Sequence, residues 1–196
     1  MRDPENIRAV ETAGADMMGF ICWEGSGRYV EGTPAYMPRC TRVGVFVNPT
    51  LEHIIHKTTA LNLNAVQLHG NETPDFCRLV SQRTGLAVIK AFGMADMSDL
   101  KKTETYEGVA AYFLFDTRCK CMGGSGKQFD WSILSEYNGR TPFVLSGGIG
   151  PDDADTLSAW RHPMCIGIDI NSCFEDAPAL KNVEKVREFI KKMKHK

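Results

Sequence analysis

Ala110-Ala111-Tyr112-Phe113-Leu114-Phe115-Asp116, followed seven residues later by Gly123-Gly124-Ser125-Gly126-Lys127, decides how this chain reads. An apolar run that ends in a carboxylate is the pattern of a buried parallel strand delivering an acid at its C-terminal end. The glycines let backbone N–H groups approach phosphate oxygens, and Lys127 adds a point charge. The loop is not a Walker A sequence, because Cys121 stands where that pattern needs Gly and Gln128 where it needs Ser or Thr. The expected anion is therefore a sugar phosphate rather than a nucleoside triphosphate. Taken alone, the loop reads equally well as a flexible surface turn.

Outward from this stretch, short apolar runs alternate with helical patterns. The strand candidates are residues 17–22, 43–47, 65–68, 87–92, the run ending at Phe115, 143–146 and 166–170. Most are nearly continuous apolar runs, as expected of strands covered on both faces. Helices are predicted over 3–13, 51–61, 74–84, 130–137, 152–160 and 182–194. Asp3 and Thr73 are the caps, Pro4 and Pro74 the first helical residues, and Gly85 the stop. With no linker, repeat or low-complexity tract, residues 1–196 read as one domain of repeated β-α units. The order begins and ends with a helix and supplies seven strands, so it resembles an eight-stranded β/α barrel without its first strand.

Composition limits the rest. Net charge is -1, which gives no basic field to draw nucleic acid or an anionic membrane. No apolar run approaches the ~20 residues that span a bilayer, and Arg2-Asp3-Pro4-Glu5 argues against a secretion signal. The seven Cys are scattered; only Cys119 and Cys121 lie close together, and no second cluster completes a zinc site. They read as reduced thiols in a cytoplasmic protein.

The segments together resemble the phosphoribosylanthranilate isomerases, the (β/α)₈ barrels of tryptophan synthesis. The resemblance covers essentially the whole chain. It rests on Gly14-Ala15-Asp16 leading to Gly19-Phe20, Ser26-Gly27-Arg28-Tyr29-Val30, Val43 to Asn48, and Val66-Gln67-Leu68-His69-Gly70-Asn71-Glu72. It continues through Ile89-Lys90-Ala91-Phe92, Phe115-Asp116 with Gly123 to Lys127 and Phe129-Asp130-Trp131, Leu145 to Ile149, and Gly167 to Ser172. The implied reaction is an Amadori rearrangement of an aminoaldose phosphate to an aminoketose phosphate, with no metal, redox cofactor, nucleic acid or membrane. The resemblance assigns Asp116 as general acid and Arg28 as the clamp on the anthranilate carboxylate, a planar group that a guanidinium pairs bidentately. An acid role requires the pKa of Asp116 to rise, which a partly apolar strand end favours. Phosphate is expected over the last two strands at Gly147, Gly148, Asn171 and Ser172, beside Cys173, with Gly126 closing from the sixth loop. Gln67 and His69 share a strand face, with His69 read as an ordinary strand-end hydrogen-bonding residue. Asp169 is expected to point inward, and Lys90 to form a structural ion pair.

The departures carry consequences of their own. Members of the family open with a strand ending in Lys-Ile/Val-Cys-Gly whose Cys is the general base, and Met1 matches the position just after it. Gly27 replaces a usual Pro. Cys22 reads as a small core residue rather than a substitute base. The 196 residues are thus expected to show little isomerase activity, and to be poorly stable or to form a homo-oligomer through the open barrel edges near Ile21 and Ile168. A non-catalytic sugar-phosphate-binding module is the alternative.

Overall fold

Every one of the predicted strands forms in the computed structural model, which describes residues 1–118 and 128–194. They are β1 (Met17–Ile21), β2 (Thr41–Phe46), β3 (Ala65–Leu68), β4 (Ala87–Met94), β5 (Tyr112–Thr117), β6 (Phe143–Leu145) and β7 (Cys165–Ile168). They pair in chain order as one parallel sheet, β1-β2-β3-β4-β5-β6-β7, curled as a β/α barrel sheet is. The helix α1 (Pro4–Thr12) precedes β1, α2 (Leu51–Ala60), α3 (Pro74–Thr84) and α4 (Ala154–Ala159) lie between strands, and α5 (Val183–Lys194) closes the order.

Local chemistry sets the helix ends. The Asp3 carboxylate accepts from Asn6 N–H at 2.7 Å, and Pro4 opens α1 without an orphaned donor. Thr50 and Thr73 cap α2 and α3 in the same way, and Gly85 stops α3 with φ of 70°. Two predicted helices are tighter than expected. Trp131–Glu136 is a 3₁₀ segment, and the helix predicted to start at Asp152 begins as 3₁₀ at Pro151–Asp153 before α4. A third, Met97–Tyr106, has no counterpart in the sequence reading, because its buried residues Asp99 and Thr103 are polar.

Packing separates two apolar layers. The alternate faces of the strands give an inner cluster of Val43, Ala65, Ile89, Ala91 and Leu114, and an outer one where Phe20, Phe46, Phe113, Phe115 and Phe143 meet the helices. The outer layer also holds a buried charge. Lys90, on the face of β4 shared with Val88 and Phe92, donates to Glu72 at 3.0 Å and to the carbonyls of Gly70, Ala91 and Leu68. The side chains are 3% and 2% exposed, and Glu72 also accepts from the N–H groups of Asn48 and Gly70. This is the structural ion pair expected of Lys90, and it ties the loops that follow β2 and β3 to strand β4. Replacing Lys90 by Met leaves an uncompensated buried carboxylate. A loss of about 3 kcal/mol in unfolding free energy is expected by urea titration. Adding Glu72→Gln to Lys90→Met is expected to cost less than the sum of the two single changes.

A short antiparallel hairpin, β8 (Glu175–Ala177) with β9 (Leu180–Lys181), follows β7. Asn6 of α1 holds it by a reciprocal pair of 2.8 Å bonds to the Lys181 backbone.

Candidate active site

Seven parallel strands put all their C-terminal ends at one mouth, and the candidates from five loops meet there. Asp116 lies near the end of β5. Its Oδ1 accepts from Thr117 N–H at 2.8 Å, and its Oδ2 is 3.2 Å from His69 Nε2. The two side chains are 29% and 34% exposed, accessible to a ligand yet shielded from bulk water. Gln67 Nε2 lies 2.9 Å from His69 Nδ1. An amide nitrogen only donates, so this contact makes Nδ1 an acceptor and puts the ring N–H on Nε2, facing Asp116. His69 is a strand-end hydrogen-bonding residue, as its pattern suggested, but its partner is the candidate acid.

The turn after β6 fits against Asp116 without room for a side chain. Gly147 has φ of 96°, and a Cβ there would lie 2.4 Å from Thr117 Oγ1 and 2.5 Å from Thr117 N. Only glycine meets both demands. Gly148 also has positive φ, and the N–H groups of Gly147, Gly148 and Ser172 donate to no described backbone carbonyl. Ser146 Oγ donates to Asp169 Oδ2 at 2.8 Å. Burial raises the Asp169 carboxyl above its ordinary range, the Ser146 bond opposes this, and the charge of Asp116 adds to it. Asn171 accepts from Lys181 Nζ, and Ser172 opens a 3₁₀ turn to Phe174. Cys173 Sγ lies 3.6 Å from Gly148 O and links the turns after β6 and β7. Gly126, with the rest of loop 119–127, lies outside the described residues.

Arg28 stands in the loop after β1, which bridges back to that strand through Ile21 and Tyr29. Its guanidinium pairs with Glu175 of β8 at 2.6 Å. Lys57 of α2 fixes the far end of the same loop, donating to the carbonyls of Val30 at 2.9 Å and Glu31 at 2.7 Å. Sequence reasoning missed Glu175, Lys181 and Lys57. None belongs to a spacing pattern, and each matters only through a partner 26 or more residues away, or on a hairpin too short to read. Cys22 is buried, its Sγ turned to Phe20 O, and burial pushes the thiol up to about 11. A thiol held protonated at neutral pH is no base. Among the described residues, no group of three or more His, Cys, Asp and Glu is placed to hold a metal ion, and no helix is long and apolar enough to cross a membrane.

Comparison with known proteins gives a consistent result. The family model for N-(5'-phosphoribosyl)anthranilate (PRA) isomerase matches residues 2–192. The N-(5'-phosphoribosyl)anthranilate isomerase of Phocaeicola vulgatus is 52% identical over 100% of this chain and 96% of its own length. Among solved structures, monomers generated from the dimeric phosphoribosylanthranilate isomerase of Thermotoga maritima superpose with a TM-score of 0.81 at 30% identity, covering 99% of this chain and 98% of that one. A phosphoribosyl anthranilate isomerase in complex with reduced 1-(o-carboxyphenylamino)-1-deoxyribulose 5-phosphate gives a TM-score of 0.80 at 30% identity, with 99% and 98% covered.

Proposed function

The chain belongs to the N-(5'-phosphoribosyl)anthranilate isomerase family, and from that membership we propose that Asp116, Arg28 and the turns after β6 and β7 form one active site for its Amadori rearrangement. The enzyme is an isomerase of tryptophan biosynthesis. The substrate has three handles, an aryl carboxylate, a furanose ring and a phosphate, and the mouth offers one chemistry for each. Arg28 takes the carboxylate. Asp116, with the His69 N–H beside it, gives a proton to the ring oxygen so that the furanose opens to an iminium. A base then removes the C2 proton, and the enolamine tautomerises to the ketone. The phosphate lies against the N–H groups of Gly147, Gly148 and Ser172 with Asn171 adjacent.

The observation that carries this reading is the convergence of the His69–Gln67 pair and the close-fitting Gly147 turn on the Asp116 carboxylate. Its test is the disappearance of N-(5'-phosphoribosyl)anthranilate on incubation with the purified protein. Binding of a reduced product analogue with no turnover in any form of the enzyme would overturn it.

The same reading makes residues 1–196 one catalytic domain working in the cytoplasm on a small phosphorylated sugar. It also assigns a role in self-association to the edges of β1 and β7 that have no neighbouring strand among the described residues. A strand edge without a neighbouring strand presents backbone donors and acceptors beside apolar side chains, although on β1 Met1 N and Val30 N–H already occupy the carbonyls of Gly19 and Ile21. Sedimentation of the 196-residue polypeptide is expected to show a concentration-dependent homo-oligomer. A thermally robust monomer at every concentration would contradict this.

A further inference from the structure

A guanidinium has two edges able to grip a carboxylate, the side edge Nε–Nη2 and the end edge Nη1–Nη2. In Arg28 the side edge is occupied. Nε donates to Glu175 at 2.9 and 3.1 Å, and Nη2 donates at 2.6 Å. The side chains are 16% and 5% exposed. Glu175 is held from two further directions, by Ala179 N–H at 3.1 Å and by Lys181 Nζ at 3.0 Å. Burial disfavours its charge, yet the Arg28 bond and the Lys181 charge outweigh burial and keep the carboxyl below its ordinary range. Its hairpin is in turn tied to α1 through Asn6. Among the described residues the Arg28 guanidinium donates to no other acceptor, which leaves its end edge for a ligand.

Building on the assignment of Arg28 to the aryl carboxylate, we propose that Glu175 is a positioning residue that grips the side edge of Arg28 and so presents its end edge to the carboxylate of the substrate. The physical gain is preorganisation. An arginine on a loop must lose rotamer freedom when it binds, and a residue already locked has less to lose. The lock matters more here because Gly27 leaves the backbone before Arg28 freer than a proline would.

Two ligands separate this role from a general structural one: reduced 1-(o-carboxyphenylamino)-1-deoxyribulose 5-phosphate, and the phenylamino counterpart that lacks the carboxylate. The ratio of their dissociation constants, measured by calorimetry, reports recognition of the carboxylate alone. Arg28→Met is expected to remove the preference for the carboxylated ligand. Glu175→Gln is expected to cut it by about tenfold or more, the size of one charge-assisted hydrogen bond, while the phenylamino ligand binds as before. Lys181→Met breaks the other side of the cluster but keeps the Arg28–Glu175 grip, so the ratio stays. If Glu175→Gln fails to fold, Glu175→Asp keeps the charge, shortens the reach and is expected to lower the ratio as well. An unchanged ratio in the Glu175 variants, or equal weakening of both ligands, overturns the proposal. An unchanged ratio in Arg28→Met instead overturns the assignment of Arg28 on which it rests.

Discussion

Replacing Asp116 by Asn is expected to lower isomerase turnover by about 10²–10⁴-fold, the usual contribution of a general acid. The substitution keeps the shape and the Thr117 N–H contact, because an amide oxygen accepts that bond as a carboxylate oxygen does. What it removes, on the proposed role of Asp116, is the proton that the ring oxygen must receive. The reduced product analogue needs no proton transfer, so its affinity should change little, and the loss should appear in kcat rather than in binding. Replacing His69 tests the neighbouring link. Its ring N–H faces Asp116 because Gln67 fixes the tautomer, so His69→Asn should lower kcat less than Asp116→Asn and alter the pH profile of what remains. Gln67→Leu removes the donor to Nδ1 and should reproduce part of that effect. If Asp116→Asn turned over at the parental rate, the acid would have to be sought elsewhere at the mouth, first at Asp169, whose carboxyl feels the Asp116 charge. The measurement is most informative in a polypeptide that also carries a Cys-bearing strand before Met1.

How far the sequence reveals this molecule depends on the range over which each feature acts. The strands were legible because a parallel strand covered on both faces is apolar at nearly every position, and β3 is buried at all of its residues. The three-residue signals at helix ends were legible too, since Asp3, Thr73 and Gly85 act on backbone atoms a few positions away. Asp116 and Gly147 could be singled out because one sits near the end of a strand and the other in the turn just past one. What the sequence could not disclose is contact between distant loops. Nothing about Glu175 suggests that it grips Arg28, 147 positions earlier. Nothing about His69 alone says that its partner is Asp116, 47 positions later. The hairpin of β8 and β9 was invisible for a different reason. Two strands of three and two residues carry no periodicity, and Ala179 adopts a φ of 68° where a glycine would have marked the turn.

A polypeptide extended before Met1 by a Lys-Val-Cys-Gly strand is expected to turn over about 10²–10⁴-fold faster than the 196-residue form, the range that a positioned base supplies. Such a strand is expected to lie beside β1. Among the described residues, β1 and β7 each have a strand partner on one side only, the other side of β1 carrying just the Ile21–Tyr29 bridge. On β1 the helix-facing Met18 and Phe20 are buried, whereas Met17 and Gly19, on the other face, are exposed, Met17 by 46%. Met1 N already donates to Gly19 O at 2.9 Å, so a preceding residue would start beside the middle of β1 with its register set. The contact is costly for an amine. Burial, with Lys181 adding to it, pushes the Met1 amino group from 8.0 down to about 5. A peptide N–H at that position makes the same bond without charge. This gives a second readout with a definite sign. The unfolded amine holds its proton more tightly than the folded one, so the 196-residue form should gain stability as pH rises from about 5 to about 8. The extended form should lose that dependence, since its own terminus lies away from Gly19. Cys22 does not replace the added base, because its thiol is buried and pushed up to about 11. Equal turnover by the two forms would mean that a residue within the 196 already removes the C2 proton. Asp169, whose carboxyl burial raises toward the range useful for proton transfer, would then be the first to replace.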